Sequence, residues 1–309
     1  MGASTPKPRI PQKNHEPDCG RLPAYSVWPK PRPGRPRPEG NNAVKDSFRY
    51  ISFATEGAIA TLTLNLPDRL NGMSGPMQAE IRQVLAGLQT QREVRALILT
   101  GAGRAFCSGA DLGDIRQKGD GREQAESTYQ AMIEQSNPLI LELRRSAIPV
   151  IAAVNGIAAG AGASLALAAD IVVAARSAGF LMPFSPRLGI VPDLGATWLL
   201  PRLLGDARAR AALLLGERIG AQQAADWGAI WACVEDDELL PRARELAARL
   251  AAAPRHAAAE LKQALELGGR QTLAEQLQYE AERQRELIAR DAFQEGVAAF
   301  LEKRAPVFP

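Results

Sequence analysis

Asp193 is the side chain whose setting most suggests chemistry. It stands in "LGIVPDLGATW" (188–198), a carboxylate between apolar neighbours and just ahead of a helix-like run. Two roles fit. As an N-cap it accepts backbone N–H groups of a helix through "LGATWLLPRLL". As a buried general base it has a pKa raised by its apolar surroundings. Two glycine-rich turns, "GAGRAFCSGADL" (101–112) and "GIAAGAGASLA" (156–166), offer a complementary element. Each follows an apolar run and opens into small residues, which exposes backbone N–H groups at a helix start. Two such groups aimed at one point hold a developing oxyanion, at about 3–4 kcal/mol per donor. The same glycines also suit close strand–helix packing.

Other chemistries fit less well. Phe106 and Leu165 stand where a dinucleotide-binding G-x-G-x-x-G needs its third glycine, and neither turn has the G-K-[ST] of a P-loop. Ser164, His256 and intervening acids have the order of an α/β-hydrolase triad. However, Ala166 replaces the last glycine of G-x-S-x-G, and Ser164 lies nine residues beyond Asn155 at the strand end, too far for a nucleophile elbow. His256, in "PRHAAAELKQ", reads as a surface residue near a helix start. Cys107 has Arg104 nearby but no histidine, and reads as packing. Asp111 reads as a turn or helix cap, and Asp170 as structural. The 309 residues contain two histidines and three scattered cysteines, which excludes a zinc cage or a disulfide framework; no metal is expected. No apolar run reaches membrane-spanning length and no signal-type segment follows Met1, so a reducing, cytoplasmic setting is expected.

The elements that position these groups follow from pattern. Residues 1–46 hold ten of the 22 prolines, with nine Lys/Arg against four acids. That segment carries +5 of the chain's net +3, so the rest is −2 and is not a basic nucleic-acid binder. It is expected to be a disordered Pro/Arg-rich extension. From Phe48, "FRYISFATEG" and "AIATLTLNL" alternate as strands around a glycine turn. "GPMQAEIRQVLAGLQTQ" sets Met77, Ile81, Val84, Leu85 and Leu88 at helical spacing. "VRALILT", "PVIAAVN" and "DIVVAA" read as buried strands of a parallel sheet. One helix is expected from about Glu123 to Arg145, and the chain beyond Leu194 is mostly helical. The fold class is α/β.

Several linked segments resemble the enoyl-CoA hydratase/isomerase (crotonase) superfamily. They are "LILTGAGRAFCSGADL", "PVIAAVNGIAAGAGASLALAADIVVAARSAGF" and "LGIVPDLGATWLLPRLLG", with "NLPDRLNGMS", "AADWGAIWACVEDDEL" and "FLEKRAPVF" in the family's order. The resemblance covers 48–309. It implies a spiral of ββα repeats over 47–245 and a helical trimerisation layer over 246–309. It implies an acyl-CoA thioester substrate, with coenzyme A as part of that substrate and no separate cofactor, and a homotrimer or dimer of trimers. By motif position the oxyanion-hole N–H groups belong to Ala110 and Ala161. Arg69, Lys303 and Arg304 match segments near the CoA nucleotide; each is equally an ordinary solvated charge.

The resemblance also bears on the reaction. Hydratases of the superfamily carry one glutamate where this chain has Ser164 and another in "FLMPFSPRLG", where it has Phe184 or Ser185. Hydration needs one group to activate water and another to protonate carbon, so ordinary hydratase activity is not expected. An aspartate at the position of Asp193 serves isomerases, and one carboxylate suffices for a 1,3-proton shift. "FSPRLGIVPDLGATWLLPRLLG" is most similar to the branch that isomerises aryl ring-epoxide thioesters. An extra residue near Pro186 distinguishes this chain, and Met182, Phe184 and Trp198 are candidate acyl-pocket residues, although side chains of these types at such spacing more often form plain core. The alternatives are a hydratase-like enzyme acting on another acyl-CoA and a non-catalytic acyl-CoA- or RNA-binding homologue.

Overall fold

A computed structural model describes residues 48–308, apart from 112, 114, 115 and 117–119. The Pro/Arg-rich extension expected over 1–46 lies outside the described residues. Strands β1 (Ile51–Glu56) and β2 (Ile59–Leu64) form an antiparallel hairpin, its turn made by Gly57 at φ +58°. Three strand pairs follow: β3 (Ala96–Gly101) with β4 (Ala105–Cys107), β5 (Val150–Val154) with β6 (Ile157–Ala159), and β7 (Ile171–Ala175) with β8 (Gly179–Leu181). The first strand of each pair enters a six-stranded sheet and the second a four-stranded one. Strands β9 (Ile219–Gly220) and β10 (Ala232–Val234) complete sheets of order β1-β2-β3-β5-β7-β10 and β4-β6-β8-β9. Within both sheets, successive turns of the chain pair in parallel, with Leu97 opposite Val150, Ile151 opposite Ile171 and Ile157 opposite Gly179. The chain therefore winds as a spiral of strand–strand–helix repeats. Close stacking of those turns needs glycine: a side chain on Gly101 would stand 2.6 Å from the Phe106 carbonyl oxygen.

Helix α1 (Gly75–Thr90) is capped by Ser74 and buries Met77, Ile81, Val84, Leu85 and Leu88, the five positions expected from spacing. The single helix expected over 123–145 is instead α2 (Gly121–Ala131), a wider π-turn (Met132–Ser136) and α3 (Asn137–Arg144). Pro138 is the cause. It has no N–H for the Glu134 carbonyl four residues back, so the helix opens to a turn in which the Asn137 N–H bonds Met132. The Glu134 carbonyl is satisfied from α1, by Arg82 Nη1 at 2.9 Å, while the same guanidinium grips Glu142 on α3. Helix α4 (Ala161–Leu167) buries all seven of its residues. Helices α5 (Ala196–Leu204), α6 (Asp206–Leu215) and α7 (Ala221–Asp226) follow, and α8 (Leu239–Ala251) lies across β2, β3, β5 and β7.

Helices α9 (Arg255–Gly268), α10 (Leu273–Ile288) and α11 (Asp291–Leu301) form the C-terminal layer. Thr272 and Glu275 start α10 with a reciprocal capping box. Lys262 ties α9 to the spiral through Asp170, whose carboxylate also accepts the Val150 N–H at 2.8 Å. Neither α9 nor α10 fully buries a side chain, and Leu261, Leu265, Leu273 and Leu277 stand exposed. No helix among the described residues is long and apolar enough to cross a membrane.

Candidate active site

The two glycine-rich turns meet. Gly109, at φ +95°, lies so close to the other turn that a side chain there would fall 2.7 Å from the Ala159 carbonyl oxygen and 3.5 Å from the Ala161 nitrogen. Gly160, at φ +50° and ψ −122°, then swings the chain into α4 with Ala161 as its first residue. The first turn is pinned from both sides. Buried Asn71 donates to the carbonyls of Ala102 and Ala105, and Asn155 accepts from Gly101 while donating to Gly103. Met73 then bridges to Ala110, its N–H donating to Gly109. Among the described residues, the N–H groups of Ala110 and Ala161 have no acceptor. The Ala161 N–H additionally carries the partial positive charge of a helix start.

Both alanines line a cavity of about 380 Å³, and Asp193 lines it with them. The N-cap role that spacing allowed for Asp193 is not what is seen. Helix α5 begins only at Ala196, with Gly195 as its cap residue and no side-chain cap. Asp193 Oδ1 is instead buried without a hydrogen-bond partner. Burial pushes its pKa from 3.8 up to about 6, against a smaller lowering by a bond to its own backbone. Leu194 and Gly195 follow at φ +50° and +80°, two left-handed residues in succession. Leu194 is buried on the cavity wall, and its conformation costs about 1 kcal/mol. Ser164 steadies the loop: its hydroxyl lies 3.2 Å from the Asp193 carbonyl and 3.3 Å from that of Gly160.

The sequence profile of "Enoyl-CoA hydratase/isomerase" matches residues 54–309. The "1,2-epoxyphenylacetyl-CoA isomerase" of Escherichia coli is 46% identical over 262 residues, 84% of this chain and 98% of that protein. A Rhodobacter capsulatus protein named "Probable enoyl-CoA hydratase" is 44% identical over 262 residues, 85% of this chain and 98% of its own length. The crystal structure of an enoyl-CoA hydratase from Polaromonas superposes with a TM-score of 0.79 at 36% identity, covering 84% of this chain and 99% of that one. The chain belongs to the enoyl-CoA hydratase/isomerase family.

Among the described residues, two carboxylates line the cavity, Asp111 and Asp193. Asp111 is engaged, pairing with Arg69 at 2.9 Å and accepting the Gly113 N–H at 3.0 Å. Ser164 is wholly buried and donates to backbone, so it is no nucleophile. Phe184 is buried and would contact a side chain on Gly160 at 3.4 Å, while Ser185 is exposed. Cys107 is inert packing, its thiol pushed up to about 12 by burial. His256 sits at the start of α9, its pKa lowered chiefly by partial burial.

Three side chains open to a pocket-wall or a core reading do not form the wall. Met182 and Phe184 belong to the hydrophobic core, and Trp198 is sandwiched by Arg202 and Arg144, with ring-centroid distances of 3.9 and 5.0 Å. None of the three lines the cavity. Pro186 also stands away from it, lying in a π-turn over Phe184–Leu188 and packing on Gly216. The residues that do line the wall include Thr128, Met132, Gln135 and Ser136 of the interrupted helix, with Gln78 of α1 and its cap Ser74. Gln135 Oε1 is buried and unpartnered, a state that costs about 1–3 kcal/mol. The sequence signal for this wall was Pro138. The expected CoA cations are dispersed. Arg69 reaches the cavity only through Asp111. Exposed Lys303 and half-buried Arg304 do not line it, and Arg304 holds Glu295 and Glu302, lowering Glu295 to about 2.

Proposed function

We propose that this protein is an acyl-CoA isomerase that moves a proton between carbons of an acyl thioester through an enolate. The observation that carries this reading is one unpartnered carboxylate oxygen, Asp193 Oδ1, in the same cavity as two unpartnered N–H groups, Ala110 and Ala161. The thioester oxygen lies between the two N–H groups, which stabilise the charge it gains when the neighbouring carbon is deprotonated. Asp193 removes that proton and returns it at a second carbon of the same conjugated system. Its burial suits the task, since a carboxylate titrating near 6 is a stronger base than a solvated one yet is mostly ionised at neutral pH. Coenzyme A arrives as part of the substrate, and no separate cofactor takes part. Arg69, Lys303 and Arg304 are the cations we assign to its phosphates, the latter two from a C-terminal segment that an assembled neighbour can present.

The acyl group we favour is the 1,2-epoxyphenylacetyl group, isomerised to its oxepin thioester in phenylacetate degradation. Shifting of 3-enoyl to 2-enoyl thioesters is a second activity of the same machinery. The 46% identical isomerase supports this reading. The relative named a hydratase supports the other one, but hydration calls for a second free acid or base, and Asp111 is tied to Arg69. We assign the exposed leucines of α9 and α10 to contacts between copies of the chain, in a homotrimer or a dimer of trimers. The test is a parallel assay of wild type on the ring-epoxide thioester, a 3-enoyl thioester and a 2-enoyl thioester. Turnover of the first two with little hydration of the third is expected. Brisk hydration, or binding without turnover of any thioester, overturns the reading.

A further inference from the structure

The cavity holds a second orphaned polar atom that proton transfer does not use. Gln135 lies in the π-turn over Met132–Ser136, and its Oε1 is buried with no partner. Two neighbouring side chains bond other groups: the Ser136 hydroxyl donates to Gln78 Oε1 at 2.8 Å, and Ser74 Oγ accepts from Met77 at 3.4 Å. The turn is held rigidly. Pro138 opens it, and Arg82 clamps it by bonding both the Glu134 carbonyl and the Glu142 carboxylate. Room for the Gln135 amide comes from Gly75, where a side chain would lie 3.2 Å from Oε1. A π-turn, a proline, an arginine clamp and a glycine thus combine to hold one unsatisfied amide oxygen at the cavity. A plain hydrocarbon acyl chain gives that amide nothing to bond.

We infer that Gln135 is a specificity-determining residue that hydrogen-bonds an oxygen function on the acyl group, so that the substrates are oxygen-bearing acyl-CoA thioesters. This rests on the reading of the cavity as an acyl-thioester site. The amide oxygen accepts from a hydroxyl group, and after a half-turn of the amide its NH2 donates to an epoxide or ring oxygen.

The test uses inert ligands, so it does not depend on turnover. Dissociation constants of phenylacetyl-CoA and (2-hydroxyphenyl)acetyl-CoA, which differ by one oxygen, are measured by calorimetry on the full chain. Wild type is expected to prefer the hydroxylated ligand by about tenfold, the net worth of one hydrogen bond. Gln135→Leu is expected to bring the preference to within about twofold. Gly75→Ala, which presses on the amide without removing it, is expected to reduce the preference as well and serves if the leucine variant fails to fold. Equal binding of the two ligands by wild type overturns the inference, as does a preference that survives in Gln135→Leu. Failure of the isomerase reading shows separately, as absent isomerisation alongside a measurable ligand preference.

Discussion

Replacing Asp193 by asparagine should stabilise the protein while abolishing its activity, and the stabilisation should depend on pH. The carboxylate titrates at about 6 in the fold against 3.8 ordinarily, because burial penalises its charged form. The folded state therefore binds the proton more tightly than the unfolded chain, and wild-type stability falls as pH rises between those two values. At about 1.4 kcal/mol per tenfold, the penalty carried by the ionised group is under ~1 kcal/mol at pH 4, ~1.5 at pH 5 and ~3 at pH 8. Asparagine has nearly the same shape and no charge, so it escapes that penalty. Its NH2 finds no partner prepared for it, which subtracts about 1 kcal/mol at every pH. The difference between the variants should thus grow by about 2 kcal/mol from pH 4 to pH 8, or about 3–4 °C in apparent melting temperature for a chain of this size. Thermal melts of both proteins across that range are the assay. A difference that stays flat with pH, or grows towards acid, would show that Asp193 is not a destabilised buried carboxylate.

Other outcomes follow from the same structure. The kcat/KM for isomerisation should rise with pH through a midpoint near 6, since the ionised form of Asp193 is the base; a pH-rate profile on a 3-enoyl thioester checks this. Gly109→Ala should lose about 2–3 kcal/mol of stability and at least about tenfold in kcat, because Cβ at φ +95° meets the Ala159 carbonyl and displaces the Ala110 N–H; melts and kinetics read both. Arg82→Met should cost about 1 kcal/mol and raise KM more than it lowers kcat, since it frees the Glu134 carbonyl and loosens the turn beside the cavity. Charged substitutions at Leu261 and Leu265 together should give monomers in light scattering while leaving the circular dichroism of the spiral intact.

Regular elements were legible because their patterns are local. The five apolar positions of α1 and the buried runs of β3, β5 and β7 behave as periodicity and β-branched content require. Asp193 was visible as a lone carboxylate among apolar residues, yet spacing alone could not separate a cap from a base. That distinction is made by where α5 begins, and the two left-handed residues Leu194 and Gly195 delay it to Ala196. The wall of the cavity was missed because its cause is an absence. Pro138 withholds one N–H, and the consequence for Gln135 appears only when Arg82, some 50 residues earlier, supplies the missing donor. For Trp198 the choice between pocket wall and packing needed the fold: Arg202, one turn along α5, is local, but Arg144 comes to the ring from another helix.

The central claim is that one carboxylate both removes and returns the proton. The direct test is isomerisation of a 3-enoyl thioester doubly deuterated at C2, run in ordinary water, with the product examined by mass spectrometry and NMR. A measurable fraction of the deuterium at C4 is predicted for wild type, with no turnover by Asp193→Asn. Product carrying only solvent hydrogen at C4, together with an asparagine variant that still turns over, would contradict it.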